Sequence, residues 1–360
     1  MTKKIVDLFF LISISFLLVS CNENSSPEYT LVTGESFSLS GNIPKGFLFE
    51  AEYILSVYSY DEVGNKVLYT KDDYEFNSEL NSIRRTLNSR IPNFNTHNVT
   101  FNENGTFSFN GVPRNPPLIN LLQIYIDYKS RTSFKPINNK SILKDNNLDG
   151  TINIYVYGDS IASGAQTYSQ YFNGNDSDSF VGLLRKYLNV DDSINVINKS
   201  ENGQVSDYFY NDYQSAITDG ADLFIIEFGM NDHIEGKARL NNFISNINDA
   251  VINILNSGNQ VVIVGFFQQN VLWDRENTID TIEYNEALKN IADNNNVPFV
   301  DIYNLYNNLS NKHVIEDITA DWMHHPNDFG HKLYFSSLLP YFLLNNNEIS
   351  IPNYIGKPVL

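Results

Sequence analysis

The chain has 360 residues, of which 42% are hydrophobic and 13% aromatic, so it can bury a sizeable core and is not a disordered chain. With 42 acidic against 24 basic residues, its formal charge is −18. A surface this acidic repels nucleic acid and anionic lipid headgroups, which excludes both as partners bound by charge. The length is comfortable for two domains.

Residues 1–21 are typical of a bacterial lipoprotein signal peptide. Two lysines precede an apolar stretch from Leu8 to Val19, which is too short to span a bilayer and ends in Leu-Val-Ser-Cys. This ending resembles a lipobox, which implies that Cys21 is lipidated; an ordinary cleaved signal is the alternative. Residues 22–29 then form a polar tether. We therefore expect an extracytoplasmic protein that is held to an outer membrane or cell surface by its lipid alone.

Residues 30–144 are predicted to form mostly β-strands. EYILSVYSY, LLQIYIDY and FSLSG are strand candidates, and VTFNENGTFSF predicts a hairpin that turns at Asn104-Gly105. SELNSIRRTLNS, residues 78–89, is the one helical candidate. FNENGTFSFNGVP resembles the end of transthyretin-like β-sandwich modules of secreted proteins. This resemblance implies a β-sandwich accessory domain that serves spacing, packing or carbohydrate binding.

Strand-like and helix-like segments alternate from residue 151 to residue 345. Five short apolar runs are typical of strands buried on both faces of a parallel sheet: INIYVY, INVIN, DLFIIEF, QVVIVGFF and PFVDIY. Helix-length segments lie between them, and the helix candidate GHKLYFSSLLPYFLL precedes a C-terminal tail at 346–360. This alternation predicts a doubly wound α/β domain with a flavodoxin-like parallel sheet.

The linker DNNLDGTIN, residues 145–153, begins like a calcium-binding loop. Asp145, Asn147 and Asp149 alternate before Gly150, but Val156 occupies the twelfth position, where a bidentate carboxylate belongs. A strand follows, where a calcium loop would lead into a helix. We therefore prefer an Asn/Asp/Gly turn, which needs no ion, over a calcium site.

Three polar segments follow the first three predicted strands of the α/β domain. Ser160 comes directly after the first strand, in IYVYGDSIASG, the loop NKSENGQ follows the second, and Gly-Met-Asn-Asp at 229–232 follows the third. Ligands of an open parallel sheet bind at the carboxyl ends of the strands, where the strand order reverses. A flavodoxin-like order therefore predicts that these segments meet in one crevice.

Four segments in this order resemble the sequence blocks of the SGNH (GDSL-type) hydrolases: GDSIASG, NKSENG, GMND and HHPNDFGH. The resemblance spans about residues 151–345. It implies that Ser160 is the nucleophile and that the backbone N–H of Gly203 and the side-chain amide of Asn231 help to form an oxyanion hole. A lone Gly-Asp-Ser is more often a turn, whereas four blocks in order at predicted strand ends are a specific signal.

The chemistry of ester cleavage explains why these residue types are needed. Serine is a poor nucleophile until a base takes its proton, so a histidine is required nearby. Attack on the carbonyl builds negative charge on oxygen, and the N–H groups of Ser160 and Gly203 with the amide of Asn231 would supply three donors. Asp159 and Asp232 are expected to bond turn amides beside the site. We expect no metal and no cofactor.

The histidine block departs from the family pattern of Asp, two residues, His and Pro. Counting from Asp321 gives His324, but Pro326 follows His325. Three further residues keep the family's spacing from His325: Asn327, Gly330 and His331. We therefore favour His325 as the base over His324.

In this register Trp322 occupies the family's aspartate position. Either Asp321 orients the imidazole by a shifted geometry, or a backbone carbonyl does so in a Ser-His dyad. We expect His331 at a helix start. The remaining histidines are expected to be ordinary surface or loop residues: His97, His233 and His313.

The resemblance implies a serine esterase, and a lipid-anchored domain of this type joined to a β-module is similar to bacterial carbohydrate esterases that remove O-acetyl groups. Lipases, lysophospholipases and thioesterases share the same blocks. Two other classes stay open, namely an O-acyltransferase and a glycan-binding surface lipoprotein with an inactive hydrolase domain. The expected partner is a small-molecule or polysaccharide ester, with no nucleic acid and no membrane contact beyond the lipid anchor.

Overall fold

The computed structural model describes residues 29–94, 99–101, 107–109, 112–114, 122–131, 136–137, 141–271, 277–343 and 349–350. The predicted signal peptide and lipobox, His97 and the Asn104-Gly105 turn lie outside these residues. Within them, no helix combines the length and the apolar character needed to cross a bilayer.

The N-terminal region is an antiparallel β structure, as predicted. Its strands are β1 (Thr30–Phe37), β2 (Lys45–Gly46), β3 (Ala51–Tyr60), β4 (Lys66–Tyr69), β5 (Tyr74–Asn77), β6 (Ser82–Arg85), β7 (Val99–Phe101), β8 (Phe107–Phe109), β9 (Val112–Arg114), β10 (Ile124–Ser130) and β11 (Pro136–Ile137). The main sheet has the order β1-β10-β3-β4, and two smaller sheets have the orders β2-β6-β5 and β7-β8-β9. The pairing of β7 with β8 is the one that the predicted hairpin requires. The sandwich architecture stays a prediction.

The helix predicted for residues 78–89 is wrong. Strand β6 lies there and pairs with β5, with Phe76 opposite Ile83. The apolar residues at helical spacing misled the prediction, because Leu80 and Leu87 are 72% and 97% exposed and only Ile83 is buried. A helix would have placed Leu80, Ile83 and Leu87 on one face, whereas the observed fold buries Ile83 alone.

The strand predicted at FSLSG is also wrong beyond its first residue, since β1 ends at Phe37. The backbone N–H of Ser38 donates to the carboxylate of Asp317 at 2.6 Å. That donor is therefore not available to a neighbouring strand, and the chain leaves the sheet.

The second half of the chain forms a five-stranded parallel sheet flanked by helices. Its strands are β12 (Ile152–Gly158), β13 (Ile194–Asn198), β14 (Leu223–Glu227), β15 (Gln260–Val264) and β16 (Phe299–Val300), in the order β13-β12-β14-β15-β16. All five residues of the central strand β14 are buried, as expected for a strand covered on both faces. The predicted flavodoxin-like order is confirmed, and it puts the ends of β13, β12 and β14 side by side.

Helices flank this sheet, and several of them begin at a residue whose side chain caps the helix. They are α1 (Tyr168–Asn173), α2 (Phe180–Leu188), α3 (Ser206–Thr218), α4 (Lys237–Asn256), α5 (Thr278–Asn295), α6 (Ile302–Leu309), α7 (Ile315–Ile318) and α8 (Asp328–Leu338). Ser179 caps α2 by accepting from the N–H of Gly182, and Asn327 caps α8 by accepting from that of Gly330. A final strand, β17 (Ile349–Ser350), pairs with β11.

The two regions share one continuous hydrophobic core. Strand β1 packs against α7 and α8. Phe37 of β1 lies against the ring of His313, with 4.9 Å between ring centroids, and His313 in turn lies 6.0 Å from Phe329 of α8. The β-rich region is thus attached to the part of the α/β region that carries the HHPNDFGH segment.

Candidate active site

Ser160 lies in a tight turn at the carboxyl end of β12. A Cβ atom at Gly158 would lie 2.8 Å from the carbonyl oxygen of Glu227, so only glycine fits where the two central strands approach. Asp159 stabilises the turn by accepting from the N–H of Ile161 at 2.8 Å. This geometry presents Ser160 at the edge of the sheet where the flavodoxin-like order predicts a site.

His325 bridges Ser160 and Asp321. Its Nε2 lies 2.9 Å from Oγ of Ser160, and its Nδ1 lies 2.6 Å from Oδ2 of Asp321. With Nδ1 protonated, the imidazole donates to Asp321 and can accept the hydroxyl proton of Ser160 at Nε2. The three side chains therefore have the relative geometry of a nucleophile, a base and an orienting acid.

His324 occupies a different position from His325. Its Nδ1 lies 3.5 Å from Oδ2 of Asp321, and its ring packs beside that of His325 with 4.0 Å between centroids. The register counted from Pro326, which selects His325, is therefore the one that brings a ring nitrogen within hydrogen-bond distance of Ser160.

Residues 319–326, called the catalytic loop below, accommodate the shifted position of Asp321. A β-bridge pairs Thr319 with Pro326, and the N–H of Ala320 donates to the carbonyl of His325 at 2.8 Å. The loop is thereby closed at its base, so Asp321 and His325 face each other across it.

Asp321 also organises the inside of the catalytic loop. Its Oδ1 accepts from the backbone N–H groups of Met323, His324 and His325 at 2.9, 3.0 and 3.1 Å. The extra residue of this loop, Trp322, takes a left-handed conformation with φ of 61°, which costs a non-glycine residue about 1–2 kcal/mol. The geometry is that of the shifted alternative, in which Asp321 itself orients the imidazole.

The electrostatics favour an ionised Asp321. Burial opposes ionisation, but the adjacent His324 and His325 and the hydrogen bond from His325 hold the pKa of Asp321 well below its usual range. The carboxylate therefore stays negative at neutral pH and can stabilise a positive charge on His325.

The loops that carry the two further oxyanion candidates are bonded to the Ser160 turn. Ser163 Oγ lies 2.6 Å from Oδ1 of Asn202, which precedes Gly203, and Asn231 Nδ2 lies 3.3 Å from Oδ2 of Asp159. Gly203 itself has φ of 75° in an exposed turn, a backbone conformation that glycine adopts without strain. The three predicted polar segments thus meet at one edge of the sheet.

The neighbouring carboxylates have structural partners. Asp232 accepts from the N–H and Oγ of Ser206 and from Nε of Arg239. Burial raises the pKa of Asp232, although these contacts lower it. Its hydrogen bonds tie α3 and α4 to the end of β14.

Glu227 is a buried carboxyl group beside Gly158 that the sequence interpretation missed. It ends β14, and burial together with the charge of Asp159 raises its pKa well above the usual range. The signal available in the sequence was a single acidic residue inside the apolar run DLFIIEF.

Two histidines predicted to be ordinary surface or loop residues are buried instead. His313 lies 2.8 Å from Oε1 of Glu35 on β1 and 3.6 Å from Oδ2 of Asp317. His233 lies in the 3₁₀ helix Asp232–Glu235, with Nδ1 3.2 Å from the carbonyl of Gly229. His331 lies in the first turn of α8, as predicted, where burial lowers its pKa to about 3 and keeps it neutral.

Among the described residues, Asp321, His324 and His325 lie close enough to share a metal ion, with ligand atoms within 4.8 Å of one another. Both ring nitrogens of His325 already take part in the hydrogen bonds to Asp321 and Ser160.

In the linker, Asp145 accepts from the N–H of Gly150 and Asp149 from that of Thr151, which is the hydrogen bonding of a turn.

Part of the chain is similar to known proteins. Residues 156–333 match the sequence model of the GDSL-like lipase/acylhydrolase family. No curated protein matches the chain. Part of the chain is similar to an acetylxylan esterase from Geobacillus stearothermophilus, with 17% identity and a TM-score of 0.45 over 54% of this chain and 96% of that one. It is also similar to a member of the lipolytic protein G-D-S-L family from Veillonella parvula, with 20% identity and a TM-score of 0.43 over 53% of this chain and 98% of that one. The structure of TesA is similar with 19% identity and a TM-score of 0.42, over 52% of this chain and 97% of that one.

Proposed function

We propose that this protein is an ester-hydrolysing enzyme that removes acetyl groups from carbohydrate hydroxyls, in keeping with the match of residues 156–333 to the sequence model of the GDSL-like lipase/acylhydrolase family. The observation that carries the proposal is the bridge from Ser160 through His325 to Asp321. Its two distances, 2.9 and 2.6 Å, are those needed for proton transfer from the serine and for fixing the imidazole tautomer.

In the proposed mechanism Ser160 Oγ attacks the ester carbonyl carbon while its proton passes to Nε2 of His325. The N–H groups of Ser160 and Gly203 and the amide of Asn231 bind the resulting oxyanion. The intermediate collapses, and the sugar oxygen leaves with the proton from His325. Water then attacks the acetyl-serine with His325 again acting as base, which releases acetate and restores the serine.

The polar rim of the site supports a carbohydrate as the alcohol part of the ester. The side chains of Ser163 and Asn202 are bonded to each other beside the nucleophile turn, and Asn202 is exposed. Hydroxyl and amide groups can hydrogen-bond to sugar hydroxyls, whereas a site for long acyl chains needs an apolar groove.

A panel of esters tests the proposal. We expect kcat/KM on p-nitrophenyl acetate to exceed that on longer acyl chains, and acetate to be released from an O-acetylated oligosaccharide. Ser160→Ala should lower both activities by at least about 10³-fold while the unfolding midpoint changes little. A preference for long chains or phospholipid would indicate a lipase or lysophospholipase. Preferential transfer to a sugar hydroxyl would indicate an acyltransferase, and glycan binding without turnover would indicate an inactive domain.

We further propose that the enzyme is extracytoplasmic and anchored by lipid at Cys21. The support is the sequence Leu-Val-Ser-Cys after the apolar stretch that ends at Val19. Cys21→Ser should release the protein from the membrane fraction. If this variant still partitions with membranes after a salt wash, the anchor lies elsewhere.

A further inference from the structure

One side chain of the β-rich region bridges both ends of the catalytic loop. Gln123, which precedes β10, donates from Nε2 to the carbonyl oxygens of Glu316 at 2.8 Å and Thr319 at 2.6 Å. Its Oε1 accepts from Nδ2 of Asn327 at 3.0 Å. Thr319 begins the loop and Asn327 follows it, so a single amide fixes the distance between the two ends.

Strand β1 supports the same segment from a second position. Ser36 Oγ donates to the carbonyl oxygen of Asp317 at 2.5 Å and accepts from Nδ2 of Asn327 at 3.0 Å. Asn327 Nδ2 also donates to the carbonyl of Asp317 at 2.9 Å. Lys45 lies 2.6 Å from Oδ1 of the same aspartate. Helix α7 and the loop that follows it are therefore bonded to the β-rich region on several sides.

These bridging groups lie away from solvent. Gln123, Ser36 and Asn327 are each 0% exposed, and Thr319 is buried as well. In this environment water cannot replace a lost hydrogen bond, and a buried polar group left unpaired costs about 1–3 kcal/mol. Removing the amide of Gln123 would take a donor from the carbonyl oxygen of Thr319 at the start of the catalytic loop and from that of Glu316 in α7, which also accepts from Ser38 Oγ at 2.7 Å. The start of the loop would then shift to find another donor.

We infer that Gln123 is a positioning residue of the esterase, through which the β-rich region holds Asp321 and His325 in register with Ser160. This inference rests on the catalytic roles proposed above for those three residues. Gln123 acts through the loop and does not touch the reacting atoms. Misplacement of a catalytic group by about 1 Å can cost on the order of 10²-fold in rate, so small movements of the loop base should be visible in turnover.

Gln123→Met tests the inference, because methionine keeps the length and approximate volume of glutamine but makes none of its hydrogen bonds. We expect kcat on an acetyl ester to fall by about 10- to 100-fold with KM within about twofold of wild type. A purely structural role would instead lower the fraction of folded enzyme, so kcat is to be normalised to sites titrated with an organophosphate.

Asn81→Leu is the matched control. Asn81 makes the same set of bonds inside the β-rich region, donating to the carbonyls of Phe47 and Phe49 and accepting from the N–H of Ala51. Its φ of 47° also makes leucine unfavourable there, so the variant should lose at least as much stability. We expect its kcat per titrated site to stay within about twofold of wild type.

A folded Gln123→Met enzyme with kcat within threefold of wild type would overturn the inference, as would an equal loss of kcat in Asn81→Leu. If Gln123→Met does not fold, Ser36→Ala decides the question. Its kcat should fall by about three- to tenfold, and an unchanged kcat would overturn the inference.

Ser160→Ala is measured alongside. If it keeps full activity, the proposed function fails; if it is inactive while Gln123→Met is normal, only the positioning role fails.

Discussion

Nδ1 of His325 lies 2.6 Å from Oδ2 of Asp321, although the chain has three residues between them where the family pattern has two. The left-handed conformation of Trp322 and the three backbone N–H groups that Asp321 accepts make room for the extra residue. The hydrogen bond between His325 and Asp321 makes Ser160, His325 and Asp321 a candidate catalytic triad.

The first prediction concerns Asp321. From the sequence alone, its loss is expected to be milder than the loss of the base, because Trp322 occupies the usual position. The direct bond to His325 changes this expectation. Asp321→Asn should lower kcat/KM by about 10²–10⁴-fold on an acetyl ester, since the imidazole loses both its tautomer and its counter-charge. A loss below tenfold would mean that the site works as a dyad.

The second prediction separates the two adjacent histidines. His325→Ala should lower kcat/KM by several orders of magnitude, because Ser160 then keeps its proton. His324→Ala should cost only about tenfold, since its ring packs beside that of His325, which itself contacts Ser160. The matched pair is compared on one acetyl ester. If His324→Ala is the inactive enzyme, the base has been assigned to the wrong residue.

The third prediction concerns the oxyanion donors. Asn231→Ala should lower kcat by about 10²–10³-fold with little change in KM, because its amide is needed only when charge develops on the substrate oxygen. Asn231 also donates to the carbonyl of Gln204 at 3.0 Å, so the unfolding midpoint must be followed in parallel. A rise in KM at constant kcat would show that Asn231 binds ground-state substrate instead.

The fourth prediction is a pH dependence of stability. Burial opposes protonation of His313, but its contacts with Asp317 and Glu35 outweigh burial and raise the pKa to about 9. This pKa is higher than the pKa of about 6.5 that a histidine has in the unfolded chain. The stability that His313 contributes is therefore fully present below pH 6.5 and is lost as the pH rises to 9.

Urea unfolding of wild type and His313→Gln measures this contribution. The free energy of unfolding of wild type minus that of His313→Gln should fall by up to about 3 kcal/mol between pH 6.5 and pH 9. A difference that is constant across this range would mean that His313 is neutral in the folded protein.

The α/β region could be predicted from the sequence because its signals are local. A strand buried on both faces, such as β14, is a continuous apolar run, and Gly158 and Gly229 mark the strand ends where polar residues follow. The positions of Ser160 and Asn231 at one edge then follow from the order of the strands.

What could not be predicted depends on contacts between distant parts of the chain. Gln123 meets Thr319 across 196 positions, and His313 meets Glu35 across 278. No local pattern marks such partners, so Gln123 is inconspicuous in its strand segment and His313 resembles a loop residue. The shifted register of Asp321 likewise depends on the φ of Trp322, which favours glycine in general and is not expected for tryptophan.

Stoichiometric labelling with an organophosphate ester, followed by peptide mass spectrometry, tests most directly whether Ser160 is the nucleophile and His325 its base. If Ser160 is the nucleophile, one phosphoryl group per chain should be found on Ser160, activity should be lost in proportion to labelling, and His325→Ala should be labelled much more slowly. Labelling of a different residue, or full activity after Ser160 is completely modified, would contradict this assignment.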